Sequence, residues 1–157
     1  MKDSLKSRAH KSLLQIGEKL RNEAYEQAPK KTTDLARSII VYSPRQLEVL
    51  VGPSVEYGLY VHEGTGLCGP KHAKYKIVPD GKQALAFKLK GRSFAVGAET
   101  FKTVGRRVVV MSVMHPGIKP NPFMDRAWWI IDTWAAEKLA RDMGEAVVNE
   151  IKKFKQI

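Results

Sequence analysis

An apolar stripe with helical period closes each end of this 157-residue chain, and that pairing constrains the fold more than any other feature. Between about Ser4 and Gln27, Leu5, Ala9, Leu13, Ile16, Leu20 and Ala24 recur every three or four positions with Lys, Arg and Glu between them. Side chains at that spacing share one face, so residues 4–27 read as an amphipathic helix with a buried stripe. Ala28-Pro29 ends it, because the residue before a proline avoids helical ψ. A second stripe, expected over residues 122–155, runs through Met124, Trp128, Ile131, Ala135, Leu139, Met143 and Ala146 and is widened by Ala127, Ile130 and Trp134. Unbroken to Phe154, that helix spans about 50 Å at 1.5 Å per residue. This exceeds what one sheet needs, and Gly144 is where the helix is expected to kink or divide. Its last turns, with Val147, Ile151 and Phe154 beside Lys152, Lys153 and Lys155, either pack on their own core or project towards another subunit.

Glycine and proline cut the residues between the stripes into runs of strand length. Thr32-Thr33-Asp34 begins a turn or a short second helix through Arg37, and Ile39–Tyr42 and Leu47–Val51 follow as strands joined through Ser43-Pro44-Arg45-Gln46. Gly52-Pro53-Ser54 is a second turn. In Tyr57–Thr65, Tyr57 and Leu59 fall on one face of a strand and Tyr60 and His62 on the other. Further strands are expected at Lys76–Val78, Leu85–Leu89 and Arg107–Met114, interrupted by Asp80-Gly81 and by a glycine-containing run from Gly91 to Gly105. No crossover helix separates them, so antiparallel pairing in a meander is the economical topology. The expected fold class is α+β. It is one domain, in which an N-terminal helix and a long C-terminal helix pack on a twisted antiparallel sheet over residues 39–114, with a basic β-rich insertion between strands.

Charge is concentrated in that insertion. Residues 71–107 hold ten cationic side chains, including Lys71, Lys74, Lys76, Lys82, Lys88, Lys90, Arg92, Lys102, Arg106 and Arg107, against Asp80 and Glu99, and so carry eight of the eleven net positive charges. Such an excess favours a polyanionic neighbour, either nucleic acid phosphate or an acidic protein surface; the plain alternative is a solvated loop that aids solubility. No helix-turn-helix, zinc-finger or RNA-recognition pattern accompanies it. The single cysteine, Cys68, excludes an intrachain disulfide, and no apolar run resembles a signal peptide or a membrane span. A soluble protein made in a reducing cytoplasm is expected.

Two short segments carry the functional reading. The first is Tyr57-Gly58-Leu59-Tyr60-Val61-His62-Glu63-Gly64-Thr65. The second, His115-Pro116-Gly117-Ile118-Lys119-Pro120-Asn121-Pro122-Phe123-Met124, is a rigid lead into the C-terminal helix. Its prolines fix φ, Gly117 permits a sharp turn, and Asn121-Pro122 supplies an N-cap followed by a proline at the first helical position. With Ala28-Pro29-Lys30-Lys31-Thr32-Thr33-Asp34-Leu35-Ala36-Arg37-Ser38-Ile39 upstream, these segments resemble, in order and spacing over about residues 5 to 135, the tail-completion family of long-tailed DNA bacteriophages and prophages, also called head-tail joining or minor tail proteins. The family's pattern has a Thr-Gly-x-Leu-x-x-Ser-Ile-like turn, a Tyr-rich segment ending Glu-x-Gly-Thr, and a His-Pro-Gly…Pro-Phe-Met/Leu…Ala approach to a helix. This chain departs at the Thr-Gly step, where it has Thr33-Asp34 and loses the permissive glycine, although Asp tolerates left-handed conformations better than most residues.

The resemblance implies a structural virion protein, made in the bacterial host cytoplasm, with no catalytic residues and no cofactor. Its copies would form a ring in the virion neck, joining the connector to the tail-tube or tail-terminator proteins around the DNA channel. Tail terminator and connector stopper are adjoining roles. Tyr57, Tyr60, Glu63, Gly64, Thr65, His115, Pro116, Gly117, Pro122 and Phe123 would fix geometry or a subunit contact. Lys71, Lys74, Lys76, Lys88, Lys90, Arg92, Arg106 and Arg107 would meet DNA or an acidic ring. Trp129 lies off the main helical stripe and is the expected exposed anchor of a subunit contact.

Chemistry offers weaker alternatives. Cys68 and His72 lie four apart and His62 and His115 are of ligating type, but structural zinc sites show two close ligand pairs and these histidines are isolated. His62 has a local role as an amphipathic strand residue, and His115 is placed to hydrogen-bond across the Pro116-Gly117 turn. Glu63 beside His62 or His115 makes an acid–base pair conceivable, yet no Gly-x-Ser-x-Gly elbow and no His-Glu-x-x-His pattern joins it. A small basic nucleic-acid-binding or nucleolytic module is the alternative from another class, with Tyr57, Tyr60 and Phe87 as base-stacking candidates.

Overall fold

The computed structural model describes residues 2–30, 33–81, 83–88, 101–104 and 107–154. The chain divides into two compact units, Met1–His62 with Pro122–Ile157, and Glu63–Asn121.

The first unit is built on helix α1 (Lys2–Gln27), followed by the short helix α2 (Asp34–Arg37), a hairpin of β1 (Ile39–Arg45) and β2 (Glu48–Pro53), helix α3 (Tyr57–Glu63) and helix α4 (Phe123–Phe154). The principal partner of α4 is α1. They run antiparallel: Arg126 Nη2 donates to Gln27 O at 3.2 Å near one end, Ser12 Oγ donates to Asp142 Oδ2 at 2.7 Å, and Arg8 meets Glu145 at 3.3 Å near the other. Between these polar ties the core is apolar and small. Ala24, Ala28, Leu35, Ala36, Ile39, Phe123 and Ala127 form one buried cluster, and Ile16, Ile131 and Ala135 a second. Alanines at the crossing let the two backbones approach, and the larger Phe123 and Ile131 fill what remains. The hairpin lies on another part of α1, where Gly17 faces it. A Cβ on Gly17 would stand 2.7 Å from Val49 Cγ1 and 3.1 Å from Val41 Cγ1, so glycine is what admits the strands there.

Several expectations are corrected within this unit. Tyr57–Glu63 is helix α3, not a strand. A run this short satisfies both periods, and the helical one wins because it turns Gly58 onto Pro53 and Leu35 while Val61 joins the core and Tyr57, Leu59 and Tyr60 face outwards. A Cβ on Gly58 would stand 2.5 Å from Pro53 Cγ. Helix α4 runs unbroken through Gly144, since one interior glycine costs only about 1 kcal/mol against two flanking runs of good helix formers. It starts at Phe123 with Arg126 N–H bonded to Pro122 O at 3.1 Å, one residue later than an Asn121 cap would place it. Trp128 and Ile130, expected in the buried stripe, are exposed.

The hairpin turn also moves. Arg45 pairs with Glu48, so Gln46 and Leu47 form the turn, and the register slips between Tyr42 and Arg45. That bulge accommodates Pro44, which has no N–H for the ladder, and Ser43 Oγ bridges it by donating to Glu48 O at 2.9 Å.

At the departure from the family's Thr-Gly step, the left-handed residue is Thr33, at φ 58°, rather than Asp34. A β-branched residue is strained there. Thr33→Gly is therefore expected to stabilise the protein by about 0.5–1 kcal/mol, relief of strain outweighing glycine's unfolded-state entropy, read as a higher urea midpoint at unchanged slope.

Among its described residues the second unit holds two antiparallel sheets. One pairs β3 (Tyr75–Ile77) with β7 (Val113–His115); the other has the order β4-β6-β5, from β4 (Leu85–Lys88), β5 (Phe101–Val104) and β6 (Arg107–Val110). The central strand β6 buries Val108 and Val110. The α+β class with two terminal helices and antiparallel β-structure stands, the strands among the described residues being divided among three small sheets. The run expected as one strand over 107–114 breaks at Met111-Ser112 into β6 and β7, which belong to different sheets, and β5 lies inside the run read as an interruption. Among the described residues no helix is long and apolar enough to cross a membrane.

Candidate functional site: a backbone clasp between two motifs

The two segments singled out by sequence meet in the second unit. Thr65 N–H donates to Ile118 O at 3.0 Å and Leu67 N–H to Pro116 O at 2.7 Å, while Ile118 N–H returns a bond to Thr65 Oγ1 at 3.1 Å. Gly64-Thr65-Gly66-Leu67 and Pro116-Gly117-Ile118 thus form a clasp, closed by the 3₁₀ turn Gly66–Cys68. Two glycines make the approach possible. Gly66 has φ +64° and its Cβ would stand 2.3 Å from Pro116 O; Gly117 has φ +100° and its Cβ would stand 1.8 Å from Thr65 O. No side chain fits at either place.

His115 holds the turn from the other side. Its Nδ1 accepts the Gly117 N–H at 2.9 Å, as sequence suggested, so the proton of the neutral ring sits on Nε2. Its ring lies 5.3 Å from that of Tyr75, its cross-strand partner. Sequence reasoning missed Gly66, Leu67, Ile118 and Tyr75. The Gly64-Thr65-Gly66 spacing is the signal in which Gly66 could have been found, whereas Leu67 and Ile118 contribute only backbone and leave none.

Among the described residues, the side chains of the remaining candidates add no bond to the clasp. In the first unit, Tyr57 and Tyr60 are about half exposed on α3, and Phe123 is fully buried with its ring edge-to-face with His62 at 5.5 Å. His62 Nε2 stands 3.6 Å from Asp125 Oδ2, and its Nδ1 is buried with no hydrogen-bond partner among the described residues. An apolar cleft of about 530 Å³ opens beside them, lined in part by Pro53, Val55, Leu59 and Met124. Pro122 is half-buried, and Trp129 is 69 % exposed, the most open of the large apolar side chains described. In the second unit, Glu63, Lys71, Lys74 and Lys76 are exposed. Lys90, Arg92 and Arg106 lie outside the described residues, as do the side chains of Lys88 and Arg107. Cys68 is exposed, His72 Nδ1 is 3.3 Å from Leu67 O, and no group of three His, Cys, Asp or Glu side chains among the described residues is placed to hold a metal.

One further polar group, unread in the sequence, ties α1 to α4. Lys138 Nζ at 2.6 Å and Ser12 Oγ at 2.7 Å both donate to Asp142 Oδ2 and hold its carboxyl below the usual carboxylate range. A depressed folded value contributes stability that is fully present above the unfolded pKa, about 3.9, and is lost as pH falls through the folded one. Asp142→Asn is expected to lower the thermal midpoint at neutral pH, with the gap to the parent closing as acid takes the pH below the ordinary carboxylate range. A gap independent of pH would mean that the charge is not what matters.

No protein-family model, curated protein or solved structure matches the chain.

Proposed function

We propose that this protein is a structural subunit of a tailed-phage or prophage neck, a tail-completion protein whose copies form a ring joining the tail to the head connector. The observation that carries this reading is the clasp. The Gly64-Thr65 and His115-Pro116-Gly117 segments on which the family resemblance rests lie about fifty residues apart, yet they bond directly to one another, so their joint occurrence has one structural cause. A rigid clasp of backbone hydrogen bonds suits a part that holds a fixed shape in an assembly. The exposed aromatic side chains of α3 and α4 supply surface for neighbouring subunits. Terminator and stopper roles differ from completion only in which neck neighbour is met.

A second reading, a nucleic-acid-binding or nucleolytic module, draws on Lys71, Lys74 and Lys76, all exposed in the second unit. In the neck reading the same lysines meet DNA in transit or an acidic ring. Lys74→Glu with Lys76→Glu is expected to impair head-tail joining at unchanged thermal stability; a large drop in midpoint would refute a contact role for these side chains. A nucleolytic monomer instead predicts salt-sensitive DNA or RNA binding, and cleavage that depends on His62 or His115.

Sequencing the DNA that flanks the gene separates the two. Portal, capsid, major tail and tape-measure genes on either side support the neck role. An antitoxin-like or nucleic-acid-processing neighbour in their place refutes it.

A further inference from the structure

We infer that the clasp is a pH-sensitive latch: charging the His115 ring removes the acceptor that holds the Gly117 amide and frees the turn to which Thr65 and Leu67 are bonded. Such a latch goes beyond the neck reading and does not depend on it.

The turn has few bonds of its own. Pro116 has no N–H, so the amides that can fix it are those of Gly117 and Ile118. Ile118 N–H is held from across the clasp, by Thr65 Oγ1 at 3.1 Å, whereas Gly117 N–H is held from within, by His115 Nδ1 at 2.9 Å. Gly117 has φ +100°, and only its missing Cβ lets Thr65 O approach. The residues flanking Gly117 supply the carbonyls of the two long-range bonds, Pro116 O to the Leu67 amide and Ile118 O to the Thr65 amide. One imidazole lone pair therefore braces the residue between the two points on which the clasp hangs.

A bare Nδ1 exists only in the neutral ring. Imidazole is the side chain that changes charge between about pH 5 and 8, and in its charged form both nitrogens carry protons. Two N–H groups would then face each other across the Gly117 bond, so the ring must swing out and give up its contact with Tyr75. Nothing around His115 offsets that loss. From β3 the Tyr75 phenol ring faces it, while Lys76 alternates to the other side of the strand and Lys74 precedes it, both exposed. Glu63 and Lys119, at the outer ends of the two clasp segments, are exposed, and among the described residues no carboxylate makes an ion pair with His115. His72, the other imidazole at the clasp, answers acid differently. Its Nδ1 stands 3.3 Å from Leu67 O, and a bond to a carbonyl needs a proton on that nitrogen, which the charged ring also carries. The clasp is therefore closed at neutral and alkaline pH, and it loosens through His115 as the pH falls.

The test is amide hydrogen exchange, followed by NMR, on the full-length protein and on His115→Asn, whose side-chain oxygen takes the place of Nδ1 and accepts without changing charge. After correction for the intrinsic pH dependence of exchange, the Thr65, Leu67 and Gly117 amides of the parent are expected to lose about tenfold in protection from about pH 8 to about pH 5, the worth of one such bond. In His115→Asn they are expected to keep it, and the amides of α1 and α4 are expected to respond in neither protein. Imidazole nitrogen shifts of the parent should show His115 Nδ1 bare at the alkaline end and protonated where the amides are released. Protection in the parent that ignores pH, a loss of equal size in His115→Asn, or a neutral His115 ring that carries its proton on Nδ1 overturns the inference.

Discussion

Phe123→Ala is expected to destabilise the first unit by about 3–5 kcal/mol, the usual cost of emptying a fully buried phenylalanine site. Phe123 is 0 % exposed, sits in the cluster with Ala24, Ala28, Leu35, Ala36, Ile39 and Ala127, and holds the His62 ring against its edge. Those neighbours are mostly alanine methyls on helix backbones, which have little freedom to close a cavity, so the cost should fall towards the upper part of the range. The apolar cleft adjoining Phe123 would merge with the new void. Against a total stability of roughly 5–15 kcal/mol, such a loss leaves the unit marginal at 37 °C. Thermal melting followed by helix circular dichroism should show a midpoint lowered by roughly 15–30 °C. Trp129→Ala, which removes a larger but exposed side chain, is the control and should move the midpoint little. Similar midpoints for the two variants would show that Phe123 does not anchor the core.

Gly117→Val is the second large effect, and it falls on the other unit. Its Cβ would have to occupy space 1.8 Å from Thr65 O, at a φ of +100° that a β-branched residue avoids. The clasp must open, giving up the Thr65–Ile118 and Leu67–Pro116 bonds, for a cost of about 3 kcal/mol or more from backbone strain and lost hydrogen bonds together. Amide hydrogen exchange reads this residue by residue. Thr65, Leu67 and Ile118 should lose protection, whereas the amides of α1 and α4 should keep theirs. Gly81→Ala separates strain from collision: Gly81 also has positive φ, at +62°, but none of the described residues lies within 4 Å of its would-be Cβ, so only about 1 kcal/mol is expected. Retained protection at Leu67 in the Gly117 variant would mean that the clasp tolerates a side chain and is not held by close backbone approach.

The terminal helices were legible because their stripes run long enough for one period to dominate. Ile16, Ala24, Ile131 and Ala135 are all buried as the spacing demands. Tyr57–Glu63 misled because alternating and helical patterns both fit so short a run, and the deciding fact, Gly58 against Pro53, is a tertiary contact. Strand β5 and the break at Met111-Ser112 depend on which strand pairs with which, and pairing leaves only a weak local imprint. Of the site, His115 and its bond to the Gly117 amide were readable because the interaction is local. The partnership of Gly66 with Pro116 was not, since it runs through backbone atoms that every residue carries.

The most direct test of the central claim is to delete this gene from the genome that carries it and image by negative-stain electron microscopy whatever phage particles are produced on induction. A neck subunit predicts DNA-filled heads and full-length tails that lie unattached, restored to whole particles by the parent gene supplied in trans. Normal numbers of joined, infectious particles in the deletion would contradict the assignment.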